Sequence, residues 1–538
     1  MSDFGKAQLV HRLDGAGDEI RTAMLNRTGW PQLVRASRLV ALALWLGWMA
    51  LGPPASAHAL SLTAATEAEL NAAIAAVNAA GAGNHAVSLT ADITLTAALP
   101  PLVNGAATEL LIDGDGHTLT GDGAHTVLRV TPGTTARLRD LAITGGRGDS
   151  GPADNSGGAI YNAGRLTVVN CTLRGNRAAA GGAIAGAALS EDSWLTISDS
   201  TLSDNTATTF GGGLFVIANA GQMATVTLTN VTVTGNTAST LGGGAHLIAG
   251  PQGEVEATIT NARFEDNTAF GSGGGLLASV DDGDLSLDIV GSTLVNNTGG
   301  GVAQSVTNGG VGETRLLRTT VAGNTATTGA GVYNWAGSGG TAGMTLFNAT
   351  LSGNRAGQSG GGLTVASDGG SAGANVVYST LAGNTAPLGG GGVHVASASG
   401  SPAAVTLNTT IITNGAGAGP DCARPSGSLI SIGYNLAGDG TCFLNQGNDL
   451  PASPAGLLPL AVNAPGGPPT HALLAGSRAR NRIHPGGAGC GTAITVDQRG
   501  APRPQPAGGR CDVGAFESQP GDPAGWGVYL PAVRNSGQ

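Results

Sequence analysis

The 538-residue sequence contains a single lysine, Lys6, and aromatic residues make up only 4% of it. Schiff-base catalysis and a lysine general base both need a lysine inside a folded site, so neither is expected here. Charged residues make up 11%, and acidic residues outnumber basic residues by 35 to 25. This balance argues against nucleic acid as a partner, because nucleic-acid binding requires clustered positive charge.

Long apolar runs are also scarce, and the most prominent one extends from Leu39 to Leu51. It follows two arginines and precedes the small residues Ala55-Ser56-Ala57, a pattern typical of a secretory signal cleaved before His58. A membrane-spanning helix needs about 20 apolar residues, which this run does not reach. We therefore expect residues 1–57 to be a signal peptide, with Met24 as an alternative start. The mature protein is expected to be extracellular or at the cell surface, without a membrane span.

Glycine, in contrast, is abundant, with 92 residues, and it belongs to a repeat. A signature related to Leu-x-Gly-Asn and always ending in asparagine recurs every 27 to 31 residues, and each copy is soon followed by a glycine run. A fixed period of this length predicts a solenoid of stacked units, none of which can bury its apolar face alone. The asparagines of the signature, with a weaker ninth copy at the end, are Asn176, Asn205, Asn236, Asn267, Asn297, Asn324, Asn354, Asn384 and Asn414.

Each repeat has the pattern of three short strands. Residues 225–236 have an apolar residue at every second position, interrupted at Asn230, which indicates two strands joined by a bend. A third strand follows the glycine run, as at residues 213–217. This pattern predicts an all-β fold, a parallel β-helix over residues 87–415.

The repeated asparagines and glycines have a structural explanation. Asparagine tolerates the left-handed backbone conformation at a sharp turn, and stacked copies can hydrogen-bond along the solenoid. Glycine supplies a positive φ where the chain turns tightly. A second column marks the other bend of the coil and comprises Asn170, Asn230, Asn261, Asn348 and Asn408.

The two ends of the solenoid differ from its repeats. At the start, Thr66 to Glu69 form a capping box, and apolar residues then follow at helical spacing, at Leu70, Ile74 and Val77. We expect residues 58–86 to form a cap that covers the first coil with a short helix. From about Ala416 the repeat stops, which predicts a separate C-terminal module over residues 416–519 and a tail over 520–538.

Five cysteines in an exported chain suggest two disulfide bonds and one free thiol. We expect Cys422 to pair with Cys442 and Cys490 with Cys511, because each pair encloses a short segment of the terminal module. Cys171 occupies a position where the other repeats have mostly small residues, so a buried free thiol is expected there.

One outward column provides the candidate binding site. Aligning the repeats on their glycine runs gives an inward apolar position, so the next residue must point outward. Its aromatic members, Tyr161, Phe215, His246, Tyr333 and His394, form a candidate docking strip for a glycan or a partner protein. The alternative is that these side chains stack on the sheet or lie under loops. If they form an open strip, alanine at Phe215 and Tyr333 should leave thermal stability nearly unchanged.

Catalytic and metal-binding constellations are not expected. The best acidic cluster, Asp281-Asp282-Gly283-Asp284, lies in one loop, whereas carbohydrate cleavage and calcium binding need oxygens that converge from several elements. We interpret the cluster as a solvated loop. His246 and His394 lie about five coils apart, too far to share a metal. We predict no catalytic residue, no metal site and no cofactor.

Two groups of motifs resemble known families. Gly-Gly-Ala-Ile at 157–160 and 181–184, with Phe-x-x-Asn at 264–267, resembles the repeats of polymorphic outer-membrane proteins. The segments 432–436, 470–477, 497–500 and 511–517 resemble bacterial choice-of-anchor Q domain proteins. That family often follows Gly-Ser with Pro-Ala-Ile-Asp, whereas this chain has Arg478-Ala479-Arg480-Asn481, so a role of the missing aspartate does not transfer.

The resemblance implies a right-handed parallel β-helix of the pectin-lyase-like type, secreted or displayed at the surface and usually without demonstrated enzymatic activity. It implies no catalytic residues. We therefore expect a binding, adhesion or structural role, with a polysaccharide or a surface protein as partner. The alternative is a polysaccharide lyase or glycoside hydrolase of the same fold. The oligomeric state does not follow from the sequence.

Overall fold

The computed structural model describes residues 59–148, 156–398, 400–414, 417–464 and 466–522. The predicted signal peptide and most of the predicted tail lie outside these residues. In the described chain, one α-helix, Glu67–Ala79, and a 3-10 turn, Gly487–Gly489, accompany 47 short strands. No helix among the described residues is long and apolar enough to span a membrane.

Strands of successive coils pair in parallel and form the faces of a β-solenoid of about eleven turns. Each full coil passes through sheet 1, then sheet 2, a short edge segment and sheet 3. Sheet 1 has fourteen strands: Ser61–Ala64, Asn84–Leu89, Glu109–Asp113, Thr135–Arg139, Arg165–Val169, Ser193–Ser198, Met223–Thr229, Glu254–Thr260, Asp284–Val290, Val311–Leu317, Thr341–Phe347, Ser371–Val377, Ala403–Asn408 and Ser428–Gly433.

Sheets 2 and 3 close the coil. Sheet 2 has thirteen strands: Ile93–Thr94, Thr118–Thr120, Ala142–Thr144, Thr172–Arg174, Thr201–Ser203, Thr232–Thr234, Arg263–Glu265, Thr293–Val295, Thr320–Ala322, Thr350–Ser352, Thr380–Ala382, Ile411–Thr413 and Leu436–Ala437. Sheet 3 has eleven: Leu128–Val130, Ile160–Asn162, Ile184–Ala188, Leu214–Ala218, Ala245–Ala249, Leu276–Asp281, Val302–Thr307, Val332–Gly337, Leu363–Asp368, Val393–Ala398 and Cys422–Ala423.

Three smaller sheets complete the fold. Sheet 4 lies between sheets 2 and 3 in the coil and comprises Arg147–Gly148, Arg177–Ala180, Thr206–Phe210, Thr237–Ala238 and Thr268–Ala269. A two-stranded continuation comprises Thr325–Ala326 and Arg355–Ala356. An antiparallel pair, Leu457–Ala461 and Thr470–Leu473, belongs to the C-terminal module. The predicted parallel β-helix is therefore confirmed.

Alternating side chains along the strands fill the interior. In Met223–Thr229, the small and apolar side chains of Ala224, Val226 and Leu228 are buried, while the threonines between them lie on the outer face. Equivalent inward residues of successive coils join in one continuous apolar core. Because every second residue faces inward, a single period fixes both the core and the outer surface.

The repeated asparagines form a buried hydrogen-bonded ladder. In a typical step, the backbone N–H and Nδ2 of Asn236 donate to Oδ1 of Asn267 at 3.0 and 2.9 Å, and Nδ2 also donates to the carbonyl of Leu202. The ladder ends where Asn414 donates in the same two ways to Oδ1 of Asp421. Stacking along the solenoid is thus as predicted.

The expectation that the ladder asparagines adopt the left-handed conformation is wrong. From Asn176 to Asn384, the residue before each ladder asparagine has that conformation, for example Gly235 with φ 65° and Asp266 with φ 54°. The asparagine itself is required for its amide, which supplies both donor and acceptor groups to a buried turn.

The second asparagine column is left-handed at four of its five predicted positions, Asn170, Asn230, Asn261 and Asn348. Asn408 does not belong to it, because Asn408 ends a strand and pairs with Val377. Thr409 has the positive φ instead, at 54°. Side-chain identity alone did not reveal this shift of one position.

The helix Glu67–Ala79 covers the first coil. Thr66 Oγ1 accepts a hydrogen bond from the Glu69 N–H at 3.3 Å, and Glu69 Oε2 accepts one from the Ala65 N–H at 2.7 Å. The buried face includes the predicted Leu70, Ile74 and Val77, which join the apolar core. The N-terminal helical cap is therefore present.

The solenoid continues for one coil beyond the predicted end at residue 415. Cys422–Ala423, Ser428–Gly433 and Leu436–Ala437 each pair with the preceding coil. The sequence signature is lost here because Asp421, rather than another asparagine, supplies the oxygen atom that ends the ladder. The solenoid thus extends beyond the last copy of the sequence repeat.

The C-terminal module folds back along sheet 2. Gln498 bridges two coils: its Nε2 donates to Thr320 Oγ1 at 2.7 Å, and its Oε1 accepts from Thr350 Oγ1 at 2.5 Å. In the next coil, Thr380 Oγ1 accepts from the Ala515 N–H at 3.0 Å. These outward threonines are fully buried under the module, which therefore covers the side of the solenoid.

A buried charged network joins the module to the solenoid. The Arg503 guanidinium lies 4.5 Å from the centre of the Tyr378 ring and donates to the carbonyls of Asp512 and Gly514. Glu517 accepts the Asp512 N–H at 2.8 Å, and burial raises the pKa of this carboxyl to about 7. Residues of the C-terminal motifs therefore pack the module and hold it against the solenoid.

Candidate functional site

The predicted row of outward residues on sheet 3 exists in register. Tyr161 pairs with Ala185 on the next strand, Ala185 pairs with Phe215, and Phe215 pairs with His246. The row then continues through Leu277 and Ala303 to Tyr333, and through Thr364 to His394. Strand alternation and coil stacking thus bring the five residues into one line.

Much of this row is covered. Phe215 is only 8% exposed and His246 only 2%. The glycine turn that enters each strand lies directly against the row: a Cβ on Gly211 would lie 2.9 Å from Phe215 Cβ, and one on Gly242 would lie 2.5 Å from His246 Cβ. An accessible strip at Phe215 and His246, as expected from the sequence, is therefore wrong, and the alternative of burial under the turns holds for these two.

A small aromatic cluster forms beneath the turns. The Phe210 ring lies 6.3 Å from that of Phe215 and 5.4 Å from that of His246, measured between ring centres. His246 Nε2 contacts Ser279 Oγ at 2.8 Å, and burial lowers the pKa of His246 to about 3. His246 is therefore neutral at physiological pH and serves the packing of this cluster.

The other three members of the row differ in their surroundings. Tyr161 is half-buried beneath the Arg129 guanidinium, whose Cζ lies 4.9 Å from the ring centre. Tyr333 is half-buried as well, and burial raises the pKa of its hydroxyl. His394 lies near the end of the row and lines an open cleft, so that residue carries the candidate site.

The cleft has a volume of about 680 Å³ and lies at the C-terminal end of sheet 3. Two of its lining residues are large apolar side chains that remain in solvent, Leu388 at 75% and Phe443 at 64% exposure. The full lining comprises Leu388, His394, Pro420, Cys422, Ala423, Arg424, Pro425, Gly440, Thr441 and Phe443. We call this feature the His394 cleft.

The disulfide between Cys422 and Cys442 builds the cleft. It joins the last strand of sheet 3 to the segment that carries Phe443, with 4.8 Å between the two Cα atoms. Phe443 has a φ of 50°, a left-handed conformation that a bulky residue rarely adopts. A strained aromatic residue held in solvent is a feature that often accompanies binding sites.

Charge in the cleft comes from Arg424. Its Cζ lies 4.4 Å from the centre of the Phe443 ring, so the guanidinium stacks on one side of the aromatic surface. Burial lowers the pKa of His394, which keeps its imidazole neutral at physiological pH. The cleft therefore presents one permanent positive charge beside apolar and aromatic surface.

The nearest paired carboxylates are occupied by backbone groups. Asp421 Oδ2 accepts the Asp439 N–H at 3.0 Å, and Asp439 Oδ2 accepts the Asp421 N–H at the same distance. Asp421 also ends the asparagine ladder, and burial raises its pKa. The residues lining the cleft include no aspartate or glutamate. The paired carboxylates that glycoside hydrolysis requires are thus missing from this lining.

The remaining candidates carry no site. Asp281, Asp282 and Asp284 are exposed, and Asp281 Oδ1 accepts a hydrogen bond from Asn308 Nδ2. Within the part of the chain that the structure describes, no group of three or more histidine, cysteine or acidic side chains could hold a metal ion. Cys171 is free and buried, and burial raises the pKa of its thiol to about 11.

Sequence reasoning missed Leu388, Arg424 and Phe443. A signal was present for two of them, because Arg424 and Phe443 lie close in sequence to Cys422 and Cys442, which were expected to pair. Both expected pairs are bonded in the structure. Leu388 had no comparable signal, since its position in the lining of the cleft depends on how the turn before sheet 3 packs.

A family model described as a right-handed β-helix region matches residues 115–253. The chain is a β-helix repeat protein. No curated protein and no solved structure matches the chain. The matched segment ends before the His394 cleft and the C-terminal module, so it supports the solenoid and assigns no activity to either feature.

Proposed function

We propose that this β-helix repeat protein is secreted or displayed at the cell surface and binds a polysaccharide through the His394 cleft without cleaving it. The observation that carries the proposal is the exposed, strained Phe443 beside the Arg424 guanidinium. An aromatic face can stack on a sugar ring, and a guanidinium donates to hydroxyl or carboxylate oxygens. The role is therefore adhesion or attachment.

Three further features support this proposal. Two disulfide bonds suit an oxidising compartment, as expected for an exported chain. The terminal motifs resemble choice-of-anchor Q proteins, a family of surface or secreted β-helices. The signal-peptide pattern of residues 1–57 agrees with export, although this segment lies outside the described residues.

The alternative function, a polysaccharide lyase or hydrolase, needs groups that the cleft lining does not provide. Hydrolysis requires two carboxyl groups on either side of the scissile bond, and the two nearest are engaged with each other's N–H groups. The sequence also left a surface protein open as the partner. The experiment below distinguishes a polysaccharide from a protein partner.

The test uses residues 58–538, purified and applied to a panel of immobilised neutral and acidic polysaccharides. Retention is measured together with released reducing ends and unsaturated ends. We expect retention without products. Phe443→Ala should weaken binding about tenfold, the upper effect of losing one aromatic contact.

Phe270→Ala is the matched control, because Phe270 is 81% exposed and lies on sheet 4's final turn, away from the cleft. It should bind as the wild type does. Equal effects of the two substitutions would exclude the cleft as the site. Released products would establish the enzymatic alternative, and retention by no polysaccharide would contradict a glycan partner and favour a surface protein.

A further inference from the structure

A second surface with binding chemistry lies on sheet 1, far in sequence from the cleft. Arg165 pairs with Thr135 on the preceding strand and with Trp194 on the following strand. Arg137 pairs with Thr167 in the same way. The two arginines therefore project from adjacent strands on the outer face, one alternating position apart. We call Arg137, Arg165, Thr167 and Trp194 the arginine patch.

Trp194 orders one of the two guanidinium groups. The Cζ atom of Arg165 lies 3.2 Å from the centre of the Trp194 ring, which places the guanidinium against the indole. Stacking on an aromatic ring restricts the arginine side chain and leaves the N–H groups at its edge free to donate. Arg165 is exposed and Trp194 half-buried, so these donors are in solvent.

Neither arginine of the patch has a carboxylate partner. Among the described residues, no aspartate or glutamate oxygen lies within 4 Å of a side-chain nitrogen of Arg137 or Arg165. Neighbouring arginines differ: Arg139 pairs with Asp113, and Arg174 pairs with Asp204. Two guanidinium groups without a carboxylate partner thus project from adjacent strands of an acidic chain, and an anion bound between these strands would be attracted by both.

The surroundings of the patch restrict the anion. Beyond Trp194, the outward residues are hydroxylated, with Thr196 and then Thr227 in the row of Thr167. Carboxylates bound the area on both sides, Glu109 on the strand before Thr135 and Glu256 two strands after Trp194. A densely charged polymer would be repelled by them, whereas isolated anionic groups between neutral, hydroxylated units would not.

We propose that the arginine patch binds the carboxylate or sulfate group of a glycan in which charged sugars are separated by neutral sugars. Arg137 and Arg165 donate to the anionic group, Thr167 offers its hydroxyl, and the threonine rows contact the neutral sugars. This site is independent of the His394 cleft and extends the set of ligands that the protein takes. It adds a charged-glycan site on a different sheet.

The test measures binding of residues 58–538 to hyaluronan, whose anionic groups are carboxylates, and to keratan sulfate, whose anionic groups are sulfates. Neutral dextran and duplex DNA serve as comparison ligands. The double variant R137Q/R165Q removes both charges of the patch. We expect a rise in Kd of at least tenfold for one or both charged glycans, because each guanidinium–anion hydrogen bond is charge-assisted.

The matched control is R174Q/R355Q, which removes two exposed arginines from other sheets and alters net charge equally. It should bind like the wild type. Hyaluronan alone would assign the site to carboxylates, and keratan sulfate alone to sulfates. No binding of either glycan, equal losses in the two double variants, or tighter binding of duplex DNA would overturn the proposal. In a Phe443→Ala background, where the cleft is already impaired, R137Q/R165Q should raise the Kd for charged glycans by the same factor, so failure here and failure of the cleft are distinguishable.

Discussion

Replacing Phe215 with alanine should destabilise the protein considerably more than replacing Phe443 does. Phe215 is buried beneath the Gly211 turn and contacts the rings of Phe210 and His246. Truncating a buried phenylalanine to alanine costs about 3–5 kcal/mol. The lower end applies here, about 3 kcal/mol, because the cluster lies at the surface and the half-buried Phe210 can collapse into the space.

Phe443→Ala removes a side chain that is already 64% exposed. The main loss is its stacking with Arg424, which at an exposed site is worth about 0.5–1 kcal/mol. The two substitutions remove the same atoms, so they differ only in the surroundings of the ring. This contrast replaces the sequence-based expectation that alanine at Phe215 leaves stability nearly unchanged.

The assay is urea unfolding followed by circular dichroism, with free energies of unfolding obtained by linear extrapolation. We expect the loss for Phe215→Ala to exceed that for Phe443→Ala by about 2 kcal/mol or more. If the two variants unfold at the same urea concentration with equal slopes, the turns do not cover the row in solution. Phe215 would then return as a candidate binding residue.

Three further outcomes follow from buried groups. Asn267→Ala should lower the free energy of unfolding by about 3 kcal/mol in the same assay, because the Asn236 N–H and the Val233 carbonyl lose their partner. The control Asn375→Ala, at an exposed position on sheet 1, should change that free energy by no more than about 0.5 kcal/mol. Equal losses in the two variants would contradict a stabilising role of the ladder. The Cys171 thiol should resist iodoacetamide at pH 8 in the native protein and react after unfolding, as mass spectrometry would show, since burial raises its pKa to about 11; rapid labelling of the native state would show that the thiol is accessible. Burial lowers the pKa of His246 to about 3 in the folded protein, so the unfolded chain binds the extra proton first, and the free energy of unfolding falls as pH decreases from about 6.5 towards 3. His246→Leu should remove up to about 1.4 kcal/mol per pH unit from this slope of stability against pH. An unchanged slope would exclude a buried neutral His246.

The solenoid, the stacking of Asn176 to Asn414, and the row from Tyr161 to His394 could all be predicted from the sequence. These features follow from two local rules, alternation along a strand and a repeat of nearly constant length. The cysteine pairs could also be predicted, because each pair encloses a short segment of the terminal module. Such features need no knowledge of what packs on the outside of the coil.

Which outward surfaces remain open depends on tertiary packing that the repeat pattern does not show. The module covers the threonines of sheet 2 through contacts between segments that no period relates, and Phe215 is buried by the Gly211 turn together with the rings of Phe210 and His246. Tertiary packing also places Leu388 and Phe443 in the lining of one cleft, beside the Cys422–Cys442 disulfide, and stacks Arg165 on Trp194 of the next coil. Periodicity fixes the face on which a side chain lies, but packing between distant segments determines whether solvent or a ligand can reach it.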